Sequence, residues 1–241
     1  MSDGFKINLP LSINDIKLGD YQKYIKVYEA NKDVDDANFL ELKLLEILCD
    51  VDLAVANQMP FGTFDDTLEY MSEIFKEKTP LTRRFKMKGT DGVVIDFGFI
   101  PNLSKMSLGE YVDLDTYISD MENMHKAMAV LYRPVHKSWD GKEHYRVMEY
   151  QGTEKFADVM KQMPLGIALG AMVFFYRLGM KLSKHMMDYS LQLLEKEELS
   201  EEQKQRLQKD MDGIKASMPL LEEMHSDFQM PPVYRLSLIH I

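Results

Sequence analysis

The sequence predicts a mainly α protein with a small antiparallel β element, of the α+β class, in which a helical core is followed by a C-terminal helical hairpin. Three observations predict it. Apolar residues recur at helical spacing over most of the chain, as in Leu18, Tyr21, Tyr24, Ile25 and Tyr28. One stretch, 84–99, carries two alternating runs joined by a Gly/Asp turn. From Lys181 onward the pattern becomes charged and amphipathic. The expected organisation is an α-rich globular domain over 1–180 with a β-hairpin near 84–100, then a charged helical arm over 181–230.

Taken in order, Phe5-Lys6-Ile7-Asn8-Leu9 alternates and reads as a short strand stopped by Pro10. Leu18-Gly19-Asp20-Tyr21 then opens a helix. Asp36 is the expected N-cap of a buried helix carrying Phe39, Leu40, Leu42, Leu44, Leu45, Ile47 and Leu48. After the break at Met59-Pro60-Phe61-Gly62, Thr63 or Asp65 is expected to cap a helix with Leu68, Met71, Ile74 and Phe75 on one stripe, ended by Thr79-Pro80. The hairpin follows. A helical period from Asp115, broken near Asp120, runs to a stop at Arg133-Pro134. His136–Glu143 reads as a polar loop holding Trp139, and His144–Tyr150 as a short strand. A helix over Glu154–Met163 precedes a long apolar one from Leu165.

In that last helix Gly166 and Gly170 lie four apart beside Ala168 and Ala171, a spacing that lets another helix approach closely; Met172, Phe174 and Phe175 extend the same packing or partner surface. The apolar run Leu165–Tyr176 is shorter than the ~20 residues that cross a bilayer, so it reads as a buried helix. Ser200-Glu201-Glu202-Gln203 fits a capping box opening the second helix of the arm, roughly Ser200–Met224.

One local pattern occurs twice. Leu9-Pro10 followed by Leu18-Gly19-Asp20-Tyr21 parallels Ile100-Pro101 followed by Leu108-Gly109-Glu110-Tyr111. Proline ends a strand, a polar turn reverses the chain, glycine permits close packing, and the acid sits well at a helix N-terminus. Both copies are read as structural junctions, so Gly109→Val or Tyr111→Asp is expected to unfold the protein.

Composition narrows the function. The 241 residues carry a net charge of -10, which opposes nonspecific binding to nucleic acid or an anionic membrane. The basic run Arg83-Arg84-Phe85-Lys86-Met87-Lys88 reads as the solvated face of a strand. The single cysteine, Cys49, allows no intrachain disulfide and fits a reducing compartment as a small core residue. The N-terminus has no basic segment followed by an apolar core, so no secretory signal is expected. Nineteen methionines fill cores and suit adaptable surfaces.

No catalytic signature stands out. His125, His136, His144, His185, His225 and His240 show no zinc-ligand spacing, and there is no phosphate-cradling glycine loop or nucleophile elbow. Glu110, Asp113, Asp115, Asp120 and Glu122 lack the alternation of an EF-hand and read as an acidic helix start. The expectation is no catalytic, cofactor or metal site, although an enzyme built from scattered residues stays open.

The residues Phe97–Leu103, Leu108–Leu114 and Ala129–Pro134, with Met163-Pro164-Leu165 and Gly170–Phe175 after them, resemble a group of tailed-bacteriophage virion-morphogenesis proteins, the tail-assembly-chaperone-like family. The resemblance covers roughly Phe5 to Leu178. It implies a non-enzymatic factor in the cytoplasm of a host bacterium that binds an apolar helical protein partner, such as a tape measure protein, with no nucleic acid, membrane or cofactor, and with homo-oligomerisation open. A structural virion component (baseplate, connector or head-completion protein) is the alternative. The final residues Leu236–Ile241 match the translation of a transposon-based sequencing adapter, so the expectation is a metagenomic chain cut near Arg235.

Overall fold

The computed structural model describes residues 8–32, 37–89, 91–139, 144–194 and 199–229. Among them the elements run α1 Leu18–Asn31, α2 Ala37–Cys49, α3 Leu53–Ala56, α4 Phe61–Phe75, β1 Arg84–Lys88, β2 Val94–Phe99, α5 Leu108–Tyr117, α6 Met124–Leu131, β3 Tyr132–Trp139, β4 His144–Val147, α7 Glu154–Met160, α8 Leu165–Leu194 and α9 Glu201–Gln229. The molecule is mainly α with a small antiparallel sheet. The sheet has four strands in the order β1-β2-β3-β4, not the hairpin alone.

The hairpin forms because Gly92 takes φ 80°, a left-handed turn that glycine adopts without strain. Its register pairs Arg84 with Gly98 and Lys88 with Val94. β3 corrects the expected helix stop and polar loop. Leu131 ends α6 and Tyr132 begins the strand with no intervening loop. Tyr132 and Pro134 lie opposite Phe99 and Phe97 of β2, and a bulge between Val135 and Lys137 lets the distal half of β3 pair with β4 instead.

One sheet face is an aromatic ladder. Phe97 and Phe99 are fully buried, two apart on the strand. Phe85 stacks on Phe97 and meets Tyr132 edge-on, with ring centroids 5.8 and 5.3 Å apart. Phe156 of α7 closes on Phe97 at 6.0 Å, and Phe174 and Phe175 of α8 close on Phe99 at 5.7 and 6.2 Å. Edge-on pairs of this kind contribute about 0.5–1.5 kcal/mol each beyond their buried area. The opposite face holds the Arg84–Asp96 ion pair at 2.7 Å, whose hydrogen bonds hold the Asp96 carboxyl below its ordinary pKa. It also holds Tyr145, whose single O–H is shared between the carbonyls of Arg83 and Phe99, both at 2.9 Å. Gly98 is required there, because a Cβ would overlap the Tyr145 ring.

α1, α2, α4, α6 and the first part of α8 enclose the helical half of the core, with Tyr24, Leu44, Met71, Met128 and Ala168 essentially inaccessible. The Cys49 thiol points to the Met71 sulfur at 3.5 Å. α4 starts at Phe61 after Pro60, with no side-chain cap, rather than at Thr63 or Asp65, and it ends at Phe75, before Thr79-Pro80. Asp36 and the strand residues Phe5, Lys6 and Ile7 lie outside the described residues, and Asn8 and Leu9 form no strand.

α8 is one unbroken helix of 30 residues, so the expected boundary at 180 falls inside it. By length and composition it is long enough and apolar enough to cross a bilayer, as the core helix of a globular protein can also be. Residues 165–172 are buried in the body. Phe174 and Phe175 still pack on the sheet; beyond them α8 continues as the first helix of the arm, and α9 folds back along it, burying Ser190 and Met211. The capping box that opens α9 is formed: the Gln203 amide N–H donates to Ser200 Oγ at 3.3 Å and the Ser200 N–H to Gln203 Oε1 at 2.9 Å. The expected adapter segment Leu236–Ile241 lies outside the described residues.

Candidate protein-interaction surface

From the proline onward the two copies of the pattern share their local structure, although no strand precedes Pro10 among the described residues. After Pro10 comes a 3-10 turn at Ile13–Asp15 and then α1; after Pro101 comes a 3-10 turn at Leu103–Lys105 and then α5. Ser12 and Asn102 cap the two turns with their side chains. The copies diverge where each helix starts, and the cause is how the first free N–H groups are satisfied.

α1 has no side-chain cap. Its first amides are capped from a distance: Leu18 N–H donates to the Met163 carbonyl and Gly19 N–H to the Lys161 carbonyl, each at 2.8 Å. This presses the helix end against the segment after α7. Leu18 and Tyr21 are buried, Pro10 with them, and a Cβ on Gly19 would lie 2.9 Å from Lys161 Cβ. Here the expected packing junction is present.

α5 caps itself. Ser107 Oγ accepts from the Glu110 N–H at 3.3 Å, and the Glu110 carboxylate accepts from the Ser107 N–H at 2.6 Å. With its donors satisfied locally, the helix end needs no neighbour. Leu108 is 78% exposed, Tyr111 60% and Val112 50%, and nothing lies within 4 Å of a Cβ built on Gly109. Pro101 is also exposed. The expected packing junction at Leu108, Gly109 and Tyr111 is therefore corrected: these residues form an apolar ridge facing solvent.

Glu110 is the exception, and it anchors the ridge. It is buried, and its carboxylate meets the buried Arg133 guanidinium of β3 at 2.6 Å. The Arg133 guanidinium also lies 5.8 Å from the ring centre of Tyr150, whose hydroxyl donates to Asp113 of α5. Burial first, and then the neighbouring Asp113 carboxylate, raise the Tyr150 pKa. Leu114 packs into the core beneath. α5 is thus fixed on one side by an ion pair, a tyrosine and a leucine, while Leu108, Tyr111 and Val112 point away. The exposed Asp115 adds negative charge to the outward face. The sequence marks these positions as a group, but it is Glu110 and Leu114 that turn inward; the readable signal is the Ser107/Glu110 capping box, which frees a helix end from tertiary caps.

The α8 positions are placed differently from one another. Gly166 and Gly170 do permit close approach, but of a 3-10 turn and of irregular chain rather than of an α-helix: a Cβ on Gly166 would lie 2.5 Å from Asn14 Oδ1, and one on Gly170 2.5 Å from the Pro80 carbonyl. Met172 is buried, and Phe174 and Phe175 are half-buried on the aromatic ladder. Of the acidic residues around α5, Glu110 pairs with Arg133, Asp113 accepts from Tyr150 and Asp120 caps the turn at Met121–Asn123, and no group of three metal-ligating side chains occurs among the described residues.

A second polar cluster is buried between α1 and α6. Gln22 Nε2 donates to the Met121 carbonyl at 2.8 Å and lies 3.1 Å from His125 Nδ1. Burial, then Lys161 and Lys126 nearby, lower the His125 pKa, which suits a neutral imidazole accepting from the Gln22 amide. No protein-family model matches this chain, and no curated protein or solved structure matches it significantly.

Proposed function

We propose that this protein is a non-enzymatic binding factor for an apolar helical protein, acting in the manner of a phage tail-assembly chaperone in the host bacterial cytoplasm. The observation that carries this reading is the α5 ridge: Leu108, Tyr111 and Val112 are exposed on a helix that a buried ion pair holds rigid. A ridge of this kind loses little conformational entropy on binding, because its backbone is already ordered. Helix-in-groove and helix-on-ridge contacts use apolar anchors at such spacing. The acidic rim at Asp115 and the net charge of -10 favour a partner whose apolar face is flanked by Lys or Arg. The same charge keeps the complex soluble while the partner's apolar surface is covered.

The test is co-expression with a basic, apolar helical segment of tape-measure type that precipitates alone. Wild-type protein should keep it soluble. Tyr111→Asp and Leu108→Asp should melt like wild type and lose that activity. If both variants retain it, the ridge is not the binding surface. Peptides of this protein recovered in stoichiometric amount from finished virions would instead establish a permanent structural component.

A further inference from the structure

The projecting half of α8 carries a second apolar stripe that α9 does not cover. α9 lies along the side of α8 that bears Ser190. On another side Leu178, Leu182, Met186 and Tyr189 are 41%, 58%, 48% and 63% exposed. Leu178, Leu182, His185 and Tyr189 alternate at spacings of four, three and four, the a and d positions of a heptad seam. Lys181 and Asp188 stand seven apart on one flank of this seam. Both are exposed, and neither is in an ion pair among the described residues.

We infer that this stripe is the dimer interface of the protein, formed by antiparallel pairing of α8 with α8 of a second copy about a two-fold axis. Three features fit that occupant. First, in an antiparallel pair the same flank of each helix meets, so Lys181 of each copy faces Asp188 of the other. Opposite charges on one flank are self-complementary in that arrangement, whereas a parallel pairing sets this flank against the other one, so that Lys181 and Asp188 do not meet. Second, the register that makes these two ion pairs also layers Leu178 on Tyr189 and Leu182 on His185, both a-on-d contacts. Third, the exposed seam residues, Leu178 to Tyr189, lie beyond Phe174 and Phe175, which pack on Phe99 of the body, so an antiparallel pair sets the two bodies at opposite ends.

The experiment is sedimentation of the full chain over a concentration series, with charge variants at exposed positions that leave the body untouched. Wild type should show a concentration-dependent monomer–dimer equilibrium. Leu182→Asp should be monomeric with unchanged circular dichroism. Lys181→Asp and Asp188→Lys should each weaken the dimer at least tenfold, and the double variant Lys181→Asp/Asp188→Lys should restore it. A wild-type chain that stays monomeric at its highest soluble concentration overturns the proposal. So does a dimer indifferent to the single charge reversals, or one that the double reversal fails to rescue. Partner capture by the α5 ridge is read independently, since Leu182→Asp leaves Leu108, Tyr111 and Val112 in place.

Discussion

Glycines that look alike in the sequence have opposite roles in the structure. Gly98 lies under the Tyr145 ring, so Gly98→Ala must displace a side chain that holds two backbone carbonyls. It should lower stability by about 1–3 kcal/mol, measured by chemical denaturation. Gly109 has open space around it and does not take a positive φ. Gly109→Ala should be neutral or stabilising by up to about 1 kcal/mol, because alanine loses less backbone entropy in a helix. His125 gives a third residue-scale outcome. Its folded pKa is lowered from 6.5 by burial and neighbouring lysines, so below that value the unfolded chain binds the extra proton first. Its stabilising contribution is complete above about pH 6.5 and declines as pH falls from there toward the depressed folded value. His125→Gln should flatten the stability–pH curve across that window in thermal melts.

At the scale of elements, α5 depends on two contacts that can be separated. Ser107→Ala removes a cap and should cost about 1 kcal/mol. Glu110→Ala leaves Arg133 buried without its counter-charge and should cost about 3 kcal/mol or more, read in the same urea titration. Elements were legible in the sequence where local chemistry decides them. The Gly89–Val93 turn and the alternation around it specify β1 and β2, and Ser200 with Gln203 specifies the start of α9. β3 was not legible, for a physical reason: Pro134 reads as a terminator, yet it is the third residue of the strand, opposite Phe97, just before a bulge redirects the pairing to β4. Nor was the contrast between α1 and α5 legible, since Leu-Gly-acid-Tyr opens both. What buries Leu18 and Tyr21 is a pair of carbonyls at Lys161 and Met163, about 140 positions away along the chain.

Across the whole molecule, α8 is both the back wall of the core and the base of the arm, which no composition change at Lys181 could reveal. A single helix with two environments should exchange its amide hydrogens at two rates. Residues 165–172 should open only with global unfolding, and residues beyond Leu178 through local fraying against α9. Peptide-resolved hydrogen exchange checks this; uniform protection along α8 would contradict it. The buried cysteine has a consequence at this scale too. Cys49 is the chain's only thiol, is 1% exposed, and burial pushes its pKa up to about 12. Inside the fold it is neither reachable nor nucleophilic; in the open chain it is both. The protein therefore carries a built-in clock: the rate at which a thiol reagent labels Cys49 counts how often the core opens, with no engineered probe.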